Sequence, residues 1–115
     1  MLRSQEGEIL QEILGLQSGE VKSHSLASVT IPPGNSSVCH YHKKSEESYY
    51  ILSGNASLEI NGNSFQLQAG EAVLIEPDDL HQITNHGYEN LVFLAICVPA
   101  WHPDDSFDIE QPEKQ

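Results

Sequence analysis

Residues 34–54 read Gly34-Asn35-Ser36-Ser37-Val38-Cys39-His40-Tyr41-His42-Lys43-Lys44-Ser45-Glu46-Glu47-Ser48-Tyr49-Tyr50-Ile51-Leu52-Ser53-Gly54. His40 and His42 stand two apart, so on a strand both imidazoles leave the same face, close enough to hold one ion. Lys43, Lys44 and Ser45 suit a turn. Beyond it Glu47, Tyr49 and Ile51 again share a face, which returns a carboxylate to the two imidazoles. The stretch reads as strand, turn and strand, carrying one half of a candidate metal site.

A third imidazole, His81, comes later, followed by Gln82-Ile83-Thr84-Asn85. Three nitrogens and one oxygen form a borderline-soft donor set, which suits a divalent first-row transition metal (iron, manganese, nickel, cobalt or zinc) rather than calcium. Four protein donors on an octahedral ion leave two positions open.

Around this stretch the texture is all-β. Strand candidates span residues 23–31, 37–42, 47–53, 56–60, 64–68, 72–76, 80–85 and 91–98, separated by Pro32-Pro33-Gly34, Gly54-Asn55, Ala69-Gly70, Pro77-Asp78-Asp79 and His86-Gly87. Asn61-Gly62-Asn63, between alternating Ala56/Leu58/Ile60 and Phe65/Leu67, is the strongest hairpin signal. About eight short antiparallel strands imply a small sandwich or barrel. Before them, Ile9, Leu10, Ile13, Leu14 and Leu16 fit a short amphipathic helix or an isolated strand, in an N-terminal arm over residues 1–22. After them, residues 99–115 are proline-punctuated and acidic, and are expected to lie on the surface as an extended tail pinned by Trp101 and Phe107.

Leu91–Val98 is apolar on both faces and asks for cover on both. Tyr50 and Leu52, opposite Glu47, ask for cover as well. A homodimer would supply it, as would the Ile9 to Leu16 segment folding back.

The 115 residues suit one domain. With 17 acidic against 5 basic residues the formal charge is −12, which repels nucleic acid and anionic membranes. Arg3, Lys22, Lys43, Lys44 and Lys114 are the whole basic set, so residues 45–113 build any pocket without a cationic side chain. Cys39 and Cys97 are too few for a disulfide framework and fit no zinc ribbon. The N-terminus lacks a signal peptide's basic-then-apolar layout, and no stretch approaches the ~20 apolar residues of a membrane span. A reduced, cytoplasmic setting is expected.

Gly34, His40, His42, Glu47 and Gly54 fall on every marked position of the pattern Gly-x5-His-x-His-x3-4-Glu-x6-Gly, and Gly70, His81 and Asn85 fit the second pattern, Gly-x5-Pro-x-Gly-x2-His-x3-Asn. On these residues the chain resembles the cupin superfamily, over residues 23–98. It departs at two marks, where Glu76 replaces the proline, with Pro77 one later, and Asp78 replaces the glycine. The resemblance implies a double-stranded β-helix, or jelly-roll barrel, holding a metal through His40, His42, Glu47 and His81. It favours Glu47 over Glu46, through the six-residue gap to Gly54.

The remaining candidates divide by position. Glu47 is a candidate general base as well as a ligand, and Tyr49 a candidate hydrogen-bond donor to a ligand or substrate, against a bland reading as a core aromatic. Asn85 reads as a turn-stabilising side chain. Cys39 leaves the face opposite His40 and, with Cys97, reads as a buried small residue. His24, His86 and His102 read as solvated, as do Lys43 and Lys44.

The expected function is that of a small-molecule metalloenzyme, oxidoreductase-, isomerase- or lyase-like (a dioxygenase among the options), taking a neutral or metal-chelating substrate. Without cations in residues 45–113, sugar phosphates and 2-oxoglutarate are disfavoured. The alternative is a non-catalytic metal- or ligand-binding module.

Overall fold

The structure, a computed structural model, describes the backbone of residues 2–5 and 7–109 and the side chains of residues 7–109. Residues 1, 6 and 110–115, at the outer ends of the expected arm and tail, lie outside the described residues. In chain order the elements are β1 (Leu2–Gln5), β2 (Glu8–Leu14), a one-turn helix α1 (Leu16–Gly19), β3 (Ser25–Ile31), β4 (His40–Tyr41), β5 (Glu46–Ser53), β6 (Asn55–Ile60), β7 (Asn63–Gln68), β8 (Ala72–Ile75), β9 (His81–Thr84), β10 (Leu91–Val98), a 3-10 turn (Pro103–Asp105) and β11 (Phe107–Asp108).

Alternation decides the layers. Along β3, Ser25, Ala27, Val29 and Ile31 are buried while their neighbours are half-exposed, and β10 repeats the pattern with Leu91, Phe93, Ala95 and Cys97. The strands form two antiparallel sheets, one in the order β1, β2, β3, β10, β5, β8 and the other β11, β4, β9, β6, β7. Val29, Ile31, Tyr49, Ile51, Ile75 and Phe93 of the first meet Ala56, Leu58 and Ile83 of the second in one core. Each fully buried Ile, Leu or Phe contributes about 1.5–3 kcal/mol. This is the double-stranded β-helix.

Gly54 shows why its place takes a glycine. Its φ is +88°, and a Cβ there would lie 2.8 Å from the Asn90 carbonyl oxygen and 3.0 Å from Leu91 Cα. Asp78, at the position where the second pattern has glycine, adopts φ +71°. Asp tolerates the left-handed region better than most residues, so the turn before His81 survives the replacement.

The structure decides one open expectation, the arm, and revises three others. The candidate strand over 37–42 shrinks to His40–Tyr41, because the Ser37 hydroxyl accepts the Ile83 N–H (3.1 Å) and competes with a backbone ladder. Between helix and strand for the arm, strand wins: β2 pairs with the open edge of β3, Leu10 opposite Val29, and leaves one helical turn behind it. That edge-on pairing leaves the outer face of β10 uncovered by the arm; Val98, Tyr50, Leu52 and Leu74 remain exposed. The tail is more than an extended arm, since through residue 109 it contains a 3-10 turn and a strand, β11, paired to β4. Among the described residues no helix is long and apolar enough to cross a membrane.

Candidate metal centre

The two sheets bring the donor side chains together. His40 on β4 pairs directly with His81 on β9, which sets the two imidazoles side by side with ring centres 4.2 Å apart. His42, one step beyond β4, adds a third ring 5.1 Å from His40 and 5.9 Å from His81. Glu47 reaches in from β5 in the facing sheet, its Oε1 3.4 Å from His42 Nε2 and 3.2 Å from His81 Nε2. One donor atom from each of the four lies within 4.8 Å of every other, so the group could hold a metal ion. Glu46 is exposed on the other face of β5.

Hydrogen bonding on the far side of each ring fixes the tautomer. His40 Nδ1 donates to the Val38 carbonyl (2.8 Å), His42 Nδ1 to the Asp105 carbonyl (2.9 Å) and His81 Nδ1 to the Asp79 carbonyl (2.9 Å). A carbonyl oxygen only accepts, so each Nδ1 carries the hydrogen and each Nε2 of a neutral ring presents a lone pair. His42 Nε2, His81 Nε2 and Glu47 Oε1 are buried and lack a well-aligned hydrogen-bond partner. While the rings are neutral, converging lone pairs and a carboxylate at this buried centre repel one another, and a cation among them, a metal ion or a proton, removes the repulsion.

The charges respond to this crowding. Burial works against the ionised Glu47, yet contacts with His42 and His81 hold its carboxyl well below the ordinary range. Burial likewise opposes a charged His42, and the Glu47 carboxylate overcomes it, raising that imidazole. Burial, reinforced by His81, lowers His40.

Tyr49, two residues after Glu47, is buried with its ring 6.0 Å from His81 and 4.6 Å from Phe93. Burial first, then the Glu47 carboxylate, push its phenol well above the ordinary value, so it stays protonated. His40, His42, Glu47 and Tyr49 line a cavity of about 60 Å³ together with Val38, Phe93, Trp101, Ser106, Asp108 and Glu8, with no Lys or Arg among the described lining.

The other candidates lie elsewhere. Asn85 is fully buried and structural: its amide donates to the Ile31 and Glu89 carbonyls (2.8 and 2.7 Å) and its oxygen accepts the Gly87 N–H. Cys39 is buried against separate cavities beside Gly34 and Gly62. Lys43 lies over the Phe107 ring, His86 is exposed, and His102 accepts the Asp104 N–H to cap the 3-10 turn.

Two residues near the donors escaped the sequence. Asp105 is buried, and its carboxylate accepts the N–H groups of Lys43, Lys44 and Ser45, each at 3.0 Å, while its carbonyl orients His42. It therefore holds the turn between His42 and Glu47. Cys97, read only as a small buried residue, donates from Sγ to Glu47 Oε2 at 3.3 Å. No motif announces Asp105 from some 60 residues away. Cys97 sits opposite Glu47 in the β10–β5 register, a signal visible only once the pairing is known.

Comparison with known proteins agrees with this geometry. Residues 27–97 match the family model described as the cupin domain. The chain is 31% identical over 98 residues to an oxalate-binding protein of Thermotoga maritima, covering 84% of this chain and 81% of that protein. Among solved structures, a predicted oxalate decarboxylase from Thermotoga maritima superposes with a TM-score of 0.73 at 29% identity, covering 80% of each chain. The Lactobacillus farciminis oxalate decarboxylase formate complex superposes with a TM-score of 0.82 at 28% identity, over 95% of this chain and 33% of that one.

Proposed function

The chain belongs to the cupin family, and on that footing we propose that it holds a divalent transition-metal ion through His40, His42, His81 and Glu47 and uses it to bind a compact chelating small molecule. The observation that carries this reading is the set of three Nδ1-anchored imidazoles grouped with Glu47, in which His42 Nε2, His81 Nε2 and Glu47 Oε1 are buried together without a hydrogen-bond partner. The bound ion would supply Lewis-acid charge for two adjacent ligand oxygens.

Cavity and charge narrow the ligand. Small-molecule sites commonly enclose about 300–1,000 Å³. The space of about 60 Å³ here suits a metal-chelating ligand of a few heavy atoms, such as a two-carbon dicarboxylate, better than a larger ring compound. The described lining offers no Lys or Arg, so an anionic ligand would depend on the ion for its countercharge. Similarity to an oxalate-binding protein supports oxalate as the first ligand to test.

Binding is the reading that Glu47 favours. A mobile general base needs a carboxylate free to leave the ion, and Glu47 is tied down through Oε2, which accepts the Cys97 S–H. Tyr49 favours a second reading, a metalloenzyme, because its protonated phenol stands beside the donors as a hydrogen-bond or proton donor to a ligand oxygen.

Calorimetry of Mn²⁺-loaded protein with oxalate tests the proposal. Saturable oxalate binding that disappears without metal and in His81→Ala is expected. Equal oxalate binding by metal-free protein, or none by the loaded protein, contradicts it. Release of formate or carbon dioxide from the loaded protein would select the enzyme reading. We also propose that a second copy of the chain covers the apolar outer face around Tyr50, Leu52 and Leu74. Light scattering should then report a dimer that Leu74→Lys breaks; a wild-type monomer contradicts it.

A further inference from the structure

Glu47 has two carboxylate oxygens with different surroundings. Oε1 belongs to the donor cluster, beside His42 Nε2 and His81 Nε2. Oε2 accepts the Cys97 S–H at 3.3 Å. Cys97 is directly opposite Glu47 across β10 and β5, and opposite Ser25 across β10 and β3, so its backbone is fixed on both sides in the centre of the six-stranded sheet. Ser25 in turn accepts the Trp101 N–H at 2.9 Å.

We propose that Cys97 is a positioning residue: by donating to Glu47 Oε2 it limits Glu47 to a single oxygen towards the ion, and so keeps open a position that a chelating ligand needs. The inference rests on the metal reading given under the proposed function. A carboxylate can bind a metal through one oxygen or two, and the choice depends on what else engages the second oxygen. With the thiol in place, three imidazoles and one oxygen leave two positions on a six-coordinate ion. Without it, Oε2 is free to turn inward and take one of them.

The test uses Mn²⁺-loaded protein and counts open positions by water-proton relaxation. Cys97→Val keeps a similar volume and removes the donor, whereas Cys97→Ser keeps a donor. Inner-sphere relaxation scales with coordinated water, so Cys97→Val should relax water about half as fast per bound ion as wild type if one of two open positions is lost. Cys97→Ser should retain the wild-type value. Equal relaxation in wild type and Cys97→Val, at equal Mn²⁺ occupancy, overturns the inference and leaves the metal reading intact. Failure of the wild type to take up Mn²⁺ overturns both.

Infrared spectroscopy of Cys39→Ser, in which Cys97 is the single thiol, gives a second measurement that needs no Cys97 variant. Mn²⁺ loading should shift the Cys97 S–H stretch and give a carboxylate band pair of the one-oxygen type. An unchanged S–H band together with a two-oxygen pattern contradicts the proposal.

Discussion

The stretch from Gly34 to Gly54 and the segment from Pro99 to Ile109 contribute to one centre in different ways. The first supplies three of the four side chains that could hold a metal ion and displays them at strand spacing. The second supplies no donor. It supplies the Asp105 carbonyl that orients His42, the Asp105 carboxylate that closes the turn over residues 43–45, and β11, which pairs Phe107 with Tyr41 and Asp108 with His40. The difference teaches that donors are specified by side-chain identity, whereas their orientation is specified largely by backbone groups. Val38 and Asp79 repeat the lesson, each holding a histidine through its carbonyl.

Removing a donor and removing a support should therefore differ in kind. His81→Ala should weaken metal binding by more than about 100-fold, beyond the range typical of outer-sphere changes, as read by competition with a chromophoric chelator. Asp105→Ala should cost about 3 kcal/mol of stability in urea denaturation, because it leaves three N–H groups of the turn over residues 43–45 without their charged acceptor, and should weaken metal binding about tenfold. If Asp105→Ala weakens metal binding as much as His81→Ala, the division between donors and supports fails.

Asn85→Ala should cost about 2 kcal/mol through its lost bonds to Ile31, Gly87 and Glu89, with metal affinity unchanged. A large fall in affinity would move Asn85 into the site.

Acidity sharpens the role of the support. Burial opposes ionisation of Asp105, but the N–H groups of Ser45, Lys44 and Lys43 lower its carboxyl below the ordinary value. A carboxyl lowered on folding stabilises the protein above its unfolded value, about 3.9, and the contribution is lost as pH falls through the folded value. Wild type and Asp105→Asn should therefore differ in urea midpoint at pH 7 and converge as the solution is acidified below about pH 4. The smallest effect is expected at Cys39→Ala, with metal affinity unchanged, because Cys39 is turned away from the donors.

The barrel was legible because short strand candidates recur between turn signals: Leu91–Val98 occupies the residues expected of it, and Asn61-Gly62 makes the turn between β6 and β7. The cluster of His40, His42, Glu47 and His81 was legible because the first three keep the register of a strand pair and because the resemblance groups His81 with them. Asp105 was not, since a charge in an acidic tail looks solvated until tertiary contacts bury it. The strand over 37–42 was overestimated because Ser37 satisfies Ile83 through its side chain. Helix and strand remained open for the arm because Ile9, Leu10, Ile13 and Leu14 fit a helical face, and the free edge of β3 decided between them.

Anomalous diffraction at the metal absorption edge, from crystals of protein loaded with Zn²⁺ or Co²⁺, tests the central claim most directly. The account expects one strong peak within about 2.0–2.2 Å of His40 Nε2, His42 Nε2, His81 Nε2 and Glu47 Oε1. A loaded crystal with its ion bound elsewhere, or with these four side chains turned from a common centre, would contradict it.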